Sequence, residues 1–344
     1  MRRLPPKGWM DMREGRLISG ICPQCGNLLQ IPAELQQFSC LYCGTRLDLE
    51  DLLPEAPANA RATELPPAEA QAAYDYAAAH LPECITGYLG CFRHLTKKEF
   101  EPYFRRYVAE NQEVFRQLDR AAAGRPQERQ AVLEAAADGF LTQLEAWTVK
   151  NRRVLTSRDT MLDDAKFTLC LVMIPALRSL RLSIGEEFAQ LLREKWLERY
   201  PKKVFQLTTY QEIAQGFQRK KLCFITTAVC SCLGKPDDCA ELTALRAFRD
   251  GYLSACPDGP ALIRVYYDLA PAVVTAIDVA DDPKTVYPAI WTKYLSPCLD
   301  ALNRGEPGLC KDLYTGMVQD LCSKYLGKSL PRDLVAVDFQ PVPM

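Results

Sequence analysis

The chain has 344 residues, of which 48% are apolar and 25% charged, enough to bury a sizeable core in two or three domains and incompatible with bulk disorder. Its 42 Lys and Arg balance 43 Asp and Glu, so the net charge of −1 argues against a protein held on nucleic acid or on an anionic membrane by its overall field. The 15 cysteines are an odd number, and the start, Met1-Arg2-Arg3-Leu4-Pro5-Pro6, lacks the apolar segment of a secretion signal. The expected location is therefore a reducing cytoplasm, where clustered cysteines serve as metal ligands or buried thiols.

Residues 16–49 hold two copies of one unit, Cys22-Pro23-Gln24-Cys25-Gly26 and Cys40-Leu41-Tyr42-Cys43-Gly44, set 18 positions apart. A Cys-x-x-Cys turn presents two thiolates on one side of a tight loop, and the following Gly can adopt the left-handed backbone that turns amides toward the sulfurs. Two such turns supply four soft ligands, so Cys22, Cys25, Cys40 and Cys43 are expected to hold one Zn²⁺ per chain in a closed tetrahedral site. Iron in the same cage is the lesser alternative, and a pair of thioredoxin-like redox motifs lacks the strand–helix–strand context it needs. Strands are expected at Leu28–Ile31, Gln37–Cys40 and Arg46–Leu49, with a turn at Pro32–Glu34. Residues 20–47 resemble the zinc-ribbon family in this ligand pattern. Between Cys22 and Cys43 there is no Lys or Arg, only Glu34, so a structural or protein-docking ribbon is a better reading than one that tracks phosphates.

Residues 50–67, with Pro54, Pro57, Pro66 and Pro67, read as a flexible linker. From Ala68 the pattern is helical. Capping boxes are expected at Thr96…Glu99, Ser183…Glu186, Thr209…Glu212 and Asp238…Glu241, helix starts at Pro126, Pro283 and Pro307, and stops at Gly124, Gly305 and Gly327. Ile184, Phe188, Leu191, Leu192 and Trp196 fall on one helical face. The uncharged stretches Phe167–Leu177 and Leu222–Gly234 are shorter than the roughly 18–20 residues of a membrane span and read as core. The expected fold is mainly α: a small β zinc ribbon (16–49), the linker (50–67), a helical domain (68–221), a second helical domain (222–327) and a tail (328–344).

The second domain carries three separated segments: Cys223-Phe224-Ile225-Thr226-Thr227-Ala228, then Leu245-Arg246-Ala247-Phe248-Arg249-Asp250, then Tyr266-Tyr267-Asp268-Leu269-Ala270-Pro271. In this order they resemble the bacterial CFI-box carboxyl-terminal domain, which implies a bacterial origin and a compact helical module but no particular activity. Leu242, Leu245, Phe248 and Tyr252 form a packing face, and Arg246 with Asp250 is spaced as an i,i+4 ion pair. Cys223, Cys230, Cys232 and Cys239 read as buried thiols, with a redox or second metal site as the alternative. No histidine after His94 could serve Cys223 as a base. His80, Cys84, Cys91 and His94 would share one helix face, but Pro82, Gly87 and Gly90 break that helix, so core packing is the better reading.

No catalytic residues are assigned, and the sequence leans toward a protein that binds rather than catalyses. The expected function is a zinc-binding protein-interaction or scaffolding module with an unknown protein partner. A thiol-based redox or metal-responsive protein is the alternative, and nucleic-acid binding through the ribbon the third.

Overall fold

The computed structural model describes residues 17–22, 28–40, 45–49, 52–54, 65–151, 158–217 and 224–330. The chain divides into two compact units, Met1–Thr63 and Glu64–Met344.

The first unit is built from short antiparallel strands. β1 (Leu17–Ile21) pairs with β2 (Leu28–Pro32) in the register Leu17↔Pro32 to Ile21↔Leu28, and with β5 (Leu53–Pro54) on its other edge. β3 (Gln37–Ser39) pairs with β4 (Arg46–Asp48). The side chains alternate as a half-buried strand requires: Leu29 and Ile31 are buried on either side of exposed Gln30, and Leu47 is buried between exposed Arg46 and Asp48. Two expectations change here. The strand at Leu28 finds its partner upstream in β1 rather than in the return strand. Of the stretch read as a linker, Leu53–Pro54 belongs to the sheet, and residues 55–64 lie outside the described residues.

The second unit is mainly helical, as the sequence leads one to expect. α1 (Pro67–His80) lays Ala70, Ala73 and Ala77 against α3 (Phe100–Ala123), small residues that let the two backbones come close. α2 (Glu83–Thr86) and a 3₁₀ turn at Cys91–His94 link them. α3 buries Phe104, Tyr107, Phe115 and Leu118 along one face, and α4 (Arg129–Lys150) buries Leu133, Ala137, Phe140 and Leu144. α5 (Arg158–Thr168) continues into α6 (Ile174–Ser179) through a π turn at Leu169–Met173. Pro175 has no N–H to give the preceding turn, which accounts for the widened ladder there. Every side chain from Leu169 to Leu177 is buried, as expected for a core segment.

α7 (Gly185–Arg199) buries Ile184, which caps it, together with Phe188, Leu191, Leu192 and Trp196, the face expected from their spacing. After α8 (Tyr210–Gly216) and α9 (Phe224–Cys232) comes α10 (Ala240–Phe248), which passes into a π turn at Arg249–Leu253. α11 (Gly259–Ala280) is buried without a break from Ala270 to Ile277 and packs against α8, α9, α12 (Pro283–Ile290), α14 (Pro307–Leu326) and the Leu169–Met173 turn. A π turn at Trp291–Leu295 joins α12 to α13 (Ser296–Asn303). One continuous apolar core runs from Ala77 to Leu330 through all of these helices.

The helix punctuation is read correctly in part. Pro283 and Pro307 open α12 and α14, and Gly327 ends α14 in the left-handed conformation, with φ of +56°. Pro126 instead lies in the turn before α4. Of the four capping boxes, Thr209…Glu212 is complete: the Thr209 hydroxyl accepts from Glu212 N at 3.2 Å, and the Glu212 carboxylate accepts from Thr209 N at 2.8 Å. Ser183 donates to Asp119 Oδ1 instead, and Asp119 also accepts from Ile184 N at 3.1 Å, so a carboxylate on α3 caps α7 from outside. Thr96 bonds Glu99 before α3 begins, and Cys239 rather than Asp238 precedes α10. Thr209→Ala should lower stability by about 1 kcal/mol, measured by urea denaturation, because it leaves amides of the first turn of α8 unpaired.

Candidate functional site

In the first unit, Cys22 directly follows β1 and Cys40 directly follows β3. The pairs Ile21↔Leu28 and Ser39↔Arg46 bracket the two Cys-x-x-Cys-Gly units along the chain, and residues 23–27 and 41–44 lie outside the described residues. The amide of Cys40 donates to Thr45 O at 2.8 Å and closes the second turn. Cys22 and Cys40 are fully buried in one small cluster with Leu29, Ile31 and Leu47. Gly20 is required beside them, because a Cβ there would stand 2.8 Å from the Leu52 Cβ. Cys25 and Cys43 lie outside the described residues, and among the described residues no three His, Cys, Asp or Glu side chains form a group that could hold a metal. Two buried thiols, each directly after a strand of its own hairpin, suit a thiophilic ion such as Zn²⁺.

The second metal-competent set separates. α1 stops at His80, whose Nδ1 bonds Tyr76 O at 2.8 Å while its ring stacks on Tyr76. Gly90 takes a left-handed φ of +81° and turns the chain before Cys91. His94 is exposed and stacks on Tyr103. Cys84 and Cys91 are buried in the main core, and the Tyr107 hydroxyl donates to Cys84 O at 2.9 Å.

The three motif segments of the carboxyl-terminal part converge. The Ile225 amide, one of the free donors at the start of α9, donates to the Tyr266 hydroxyl at 3.1 Å. Thr226 Oγ1 bonds the Tyr314 hydroxyl at 3.0 Å, Phe224 meets Tyr267 edge-on, and Tyr266 packs on Tyr314. Leu245 and Phe248 of α10 reach the same place and, with Leu262, Tyr266, Tyr314 and Val318, wall an apolar cavity. Substituting Tyr266→Phe leaves the buried Ile225 N–H without its acceptor and should cost about 1–3 kcal/mol, read by denaturant unfolding.

Two expectations for α10 are corrected. Arg246 does not pair with Asp250; it reaches back to Asp237, with Nη1 to the carbonyl at 2.7 Å and Nη2 to the carboxylate at 2.9 Å. Asp250 pairs with Arg249 at 2.6 Å, which holds its carboxyl below the usual range. Tyr252 is 40% exposed instead of packed. Both follow from the Arg249–Leu253 π turn, which shifts the helical phase that an i,i+4 reading assumes.

The four cysteines of this region do not share one environment. Cys223 lies outside the described residues. Cys230 is fully buried, and its thiol is pushed up to about 12 by burial and then by Cys239, which packs against it. Cys239 is half-buried ahead of α10. Cys232, expected in the core, is exposed, because it sits one residue past the buried face of α9. Lys235 binds Glu241 at 2.5 Å and lies over the Trp291 ring. A further buried pair, Cys298 and Cys310, has no motif spacing: the two thiols face each other from α13 and α14, and Cys310 and burial push Cys298 up strongly.

Burial raises the thiols of Cys84, Cys91 and Cys322 from the ordinary 9.0 to about 12. Between these values the unfolded chain releases protons that the folded chain keeps, so stability is full below pH 9.0 and is lost as pH rises toward 12. The urea midpoint should accordingly fall from pH 8 to pH 10.5, and the Cys322→Ala variant should show a shallower alkaline decline.

Comparison of the chain with protein families, with curated proteins and with solved structures found no match. Among the described residues no helix is long and apolar enough to cross a membrane.

Proposed function

We propose that this chain is a zinc-binding, non-catalytic interaction protein. Cys22, Cys25, Cys40 and Cys43 hold one structural Zn²⁺, and the ribbon it stabilises docks a protein partner in a reducing cytoplasm. The observation that carries this reading is the burial of Cys22 and Cys40 in one cluster, each at the end of its own hairpin strand. The bound ion would supply the cross-link between two hairpins whose apolar contacts are few. Leu35, 45% exposed at the turn after β2 and flanked by Glu34 and Gln36, supports docking of a protein rather than a phosphate backbone.

Metal analysis of the purified chain should give about one zinc per chain. Cys25→Ser should abolish it. A metal-free wild-type chain whose residues 17–54 remain as protected as in the metal-bound chain would remove this reading. Sub-micromolar binding of a defined nucleic acid at physiological salt, lost in Cys40→Ser, would favour the nucleic-acid reading instead.

A second reading rests on Cys239 packing against the buried Cys230. A peroxide would oxidise the more accessible Cys239 thiol to a sulfenic acid, with the peroxide reduced to water or alcohol. Attack by the Cys230 sulfur would then expel water and form the disulfide. On the leading reading, iodoacetamide labels exposed Cys232 at an ordinary rate and Cys230 only after denaturation, and peroxide yields no Cys230–Cys239 cross-link by mass spectrometry. A rapid cross-link would make the thiol reading the leading one.

A further inference from the structure

A cleft of about 270 Å³ opens between α9, the end of α11 and the start of α12. Among its described lining residues, Phe224, Ala228, Val274 and Pro283 are apolar, and Thr227 and Cys232 bring a hydroxyl and a thiol from α9. Tyr287 of α12 also lines it and donates its hydroxyl proton to Asp278 Oδ1 of α11 at 2.6 Å. Among the described cysteines Cys232 alone is exposed. Its Sγ donates to Pro283 O at 3.6 Å, which sets the thiol where α9 meets the start of α12.

Thr227 is the second informative residue. It is 6% exposed, and its Oγ1 is buried with no hydrogen-bond partner. A helical threonine ordinarily returns its hydroxyl to a carbonyl on the preceding turn, as Thr275 does to Pro271 O at 2.9 Å. A hydroxyl buried without a partner costs free energy, so its presence in the wall of a cleft calls for a group that completes it. Two χ1 rotamers are open to a helical threonine, so a group lodged in the cleft can draw the hydroxyl to it. Thr227 and Cys232 stand five residues apart on α9, about 7.5 Å along its axis. An adduct of roughly four heavy atoms on the Cys232 sulfur spans that distance.

We propose that Cys232 is a modification site, forming a mixed disulfide with a small thiol whose hydrogen-bonding tail lies in the cleft and pairs with Thr227 Oγ1. The co-reactant is a small symmetrical disulfide. The Cys232 thiol loses its proton to solvent, and its sulfur attacks one sulfur of that disulfide. A new S–S bond forms, the old one breaks, and the leaving thiolate takes up a proton. Cys232 is oxidised, and the released thiol is the reduced product. The carbons of the tail lie against Phe224, Ala228, Val274 and Pro283, while a hydroxyl or amide a short way from the sulfur completes Thr227. The cleft volume lies just under the usual span of small-molecule sites, which keeps the tail short. This site is separate from the zinc ligands and from the Cys230–Cys239 pair.

The test equilibrates the full chain with 2-hydroxyethyl disulfide and 2-mercaptoethanol. A parallel sample takes dipropyl disulfide and propanethiol, whose adduct has the same length and no hydroxyl. Each mixed disulfide is quantified by mass spectrometry after acid quenching, with half-buried Cys256 as the internal reference. The exchange constant of the hydroxyethyl adduct at Cys232 should exceed that at Cys256 by about tenfold or more, the scale of one completed buried hydrogen bond. The propyl adduct should show a clearly smaller preference. Thr227→Val should lower the hydroxyethyl constant at Cys232 by about tenfold, while iodoacetamide still alkylates Cys232 at the wild-type rate. That variant keeps the side-chain shape and removes the unpartnered hydroxyl, so its melting temperature should stay level or rise. If it folds poorly, the hydroxyethyl–propyl comparison in the wild-type chain decides the question. Equal hydroxyethyl constants at Cys232 and Cys256, a propyl preference as large as the hydroxyethyl one, or a hydroxyethyl constant unchanged by Thr227→Val would overturn the proposal.

Discussion

Among the described residues of the amino-terminal unit, five buried side chains, Cys22, Leu29, Ile31, Cys40 and Leu47, form one cluster with Phe38, Leu49 and Leu52 half-buried against it, and two of the five are thiols. Three aliphatic residues remove little apolar surface from water, while fixing each residue of five short strands costs conformational entropy. A sheet of this size needs a further cross-link, and the proposed four-thiolate zinc is of the right magnitude, since structural zinc contributes roughly 10–16 kcal/mol in small domains. The position of the cysteines fits the same need. Cys22 directly follows β1 and Cys40 directly follows β3, so one ion held by them would tie together two ladders, β1–β2 and β3–β4, that belong to separate sheets.

The helical unit depends on a different constraint, the burial of α11. From Ala270 to Ile277 it has no solvent face, so its neighbours must cover it all round. It approaches α8 closely, where a Cβ on Gly216 would stand 2.4 Å from Thr275 Oγ1. At its amino-terminal half, Tyr266 accepts the hydrogen bond that fixes the start of α9, and at its carboxyl-terminal half Asp278 faces Tyr287 of α12. Both cavities are lined by residues of α11 and are therefore consequences of how one buried helix seats its partners.

Much of this was legible in the sequence where the signal is local. The face of α7 follows from the spacing of Ile184, Phe188, Leu192 and Trp196, and the Thr209 box from four adjacent residues. What failed depends on partners distant in the chain. Asp119 replaces Ser183 as the cap of α7 because α3 passes close to that helix start. The π turn after Phe248 sends Arg246 to Asp237 and Tyr252 to solvent, and no spacing rule encodes a change of helical phase. In the site, the Cys-x-x-Cys repeat stands out by spacing alone. By contrast Thr227, Asp278 and Tyr287 meet only because α9, α11 and α12 pack together.

The proposed zinc would order the amino-terminal unit, while the helical unit is held by its own core. Hydrogen–deuterium exchange of the full chain, read by mass spectrometry before and after chelation, tests it most directly. Amides of residues 17–54 should lose protection when the metal is withdrawn, and those of α3, α7 and α11 should keep theirs. Loss of protection in α11 on chelation, or unchanged protection in residues 17–54, would contradict the account.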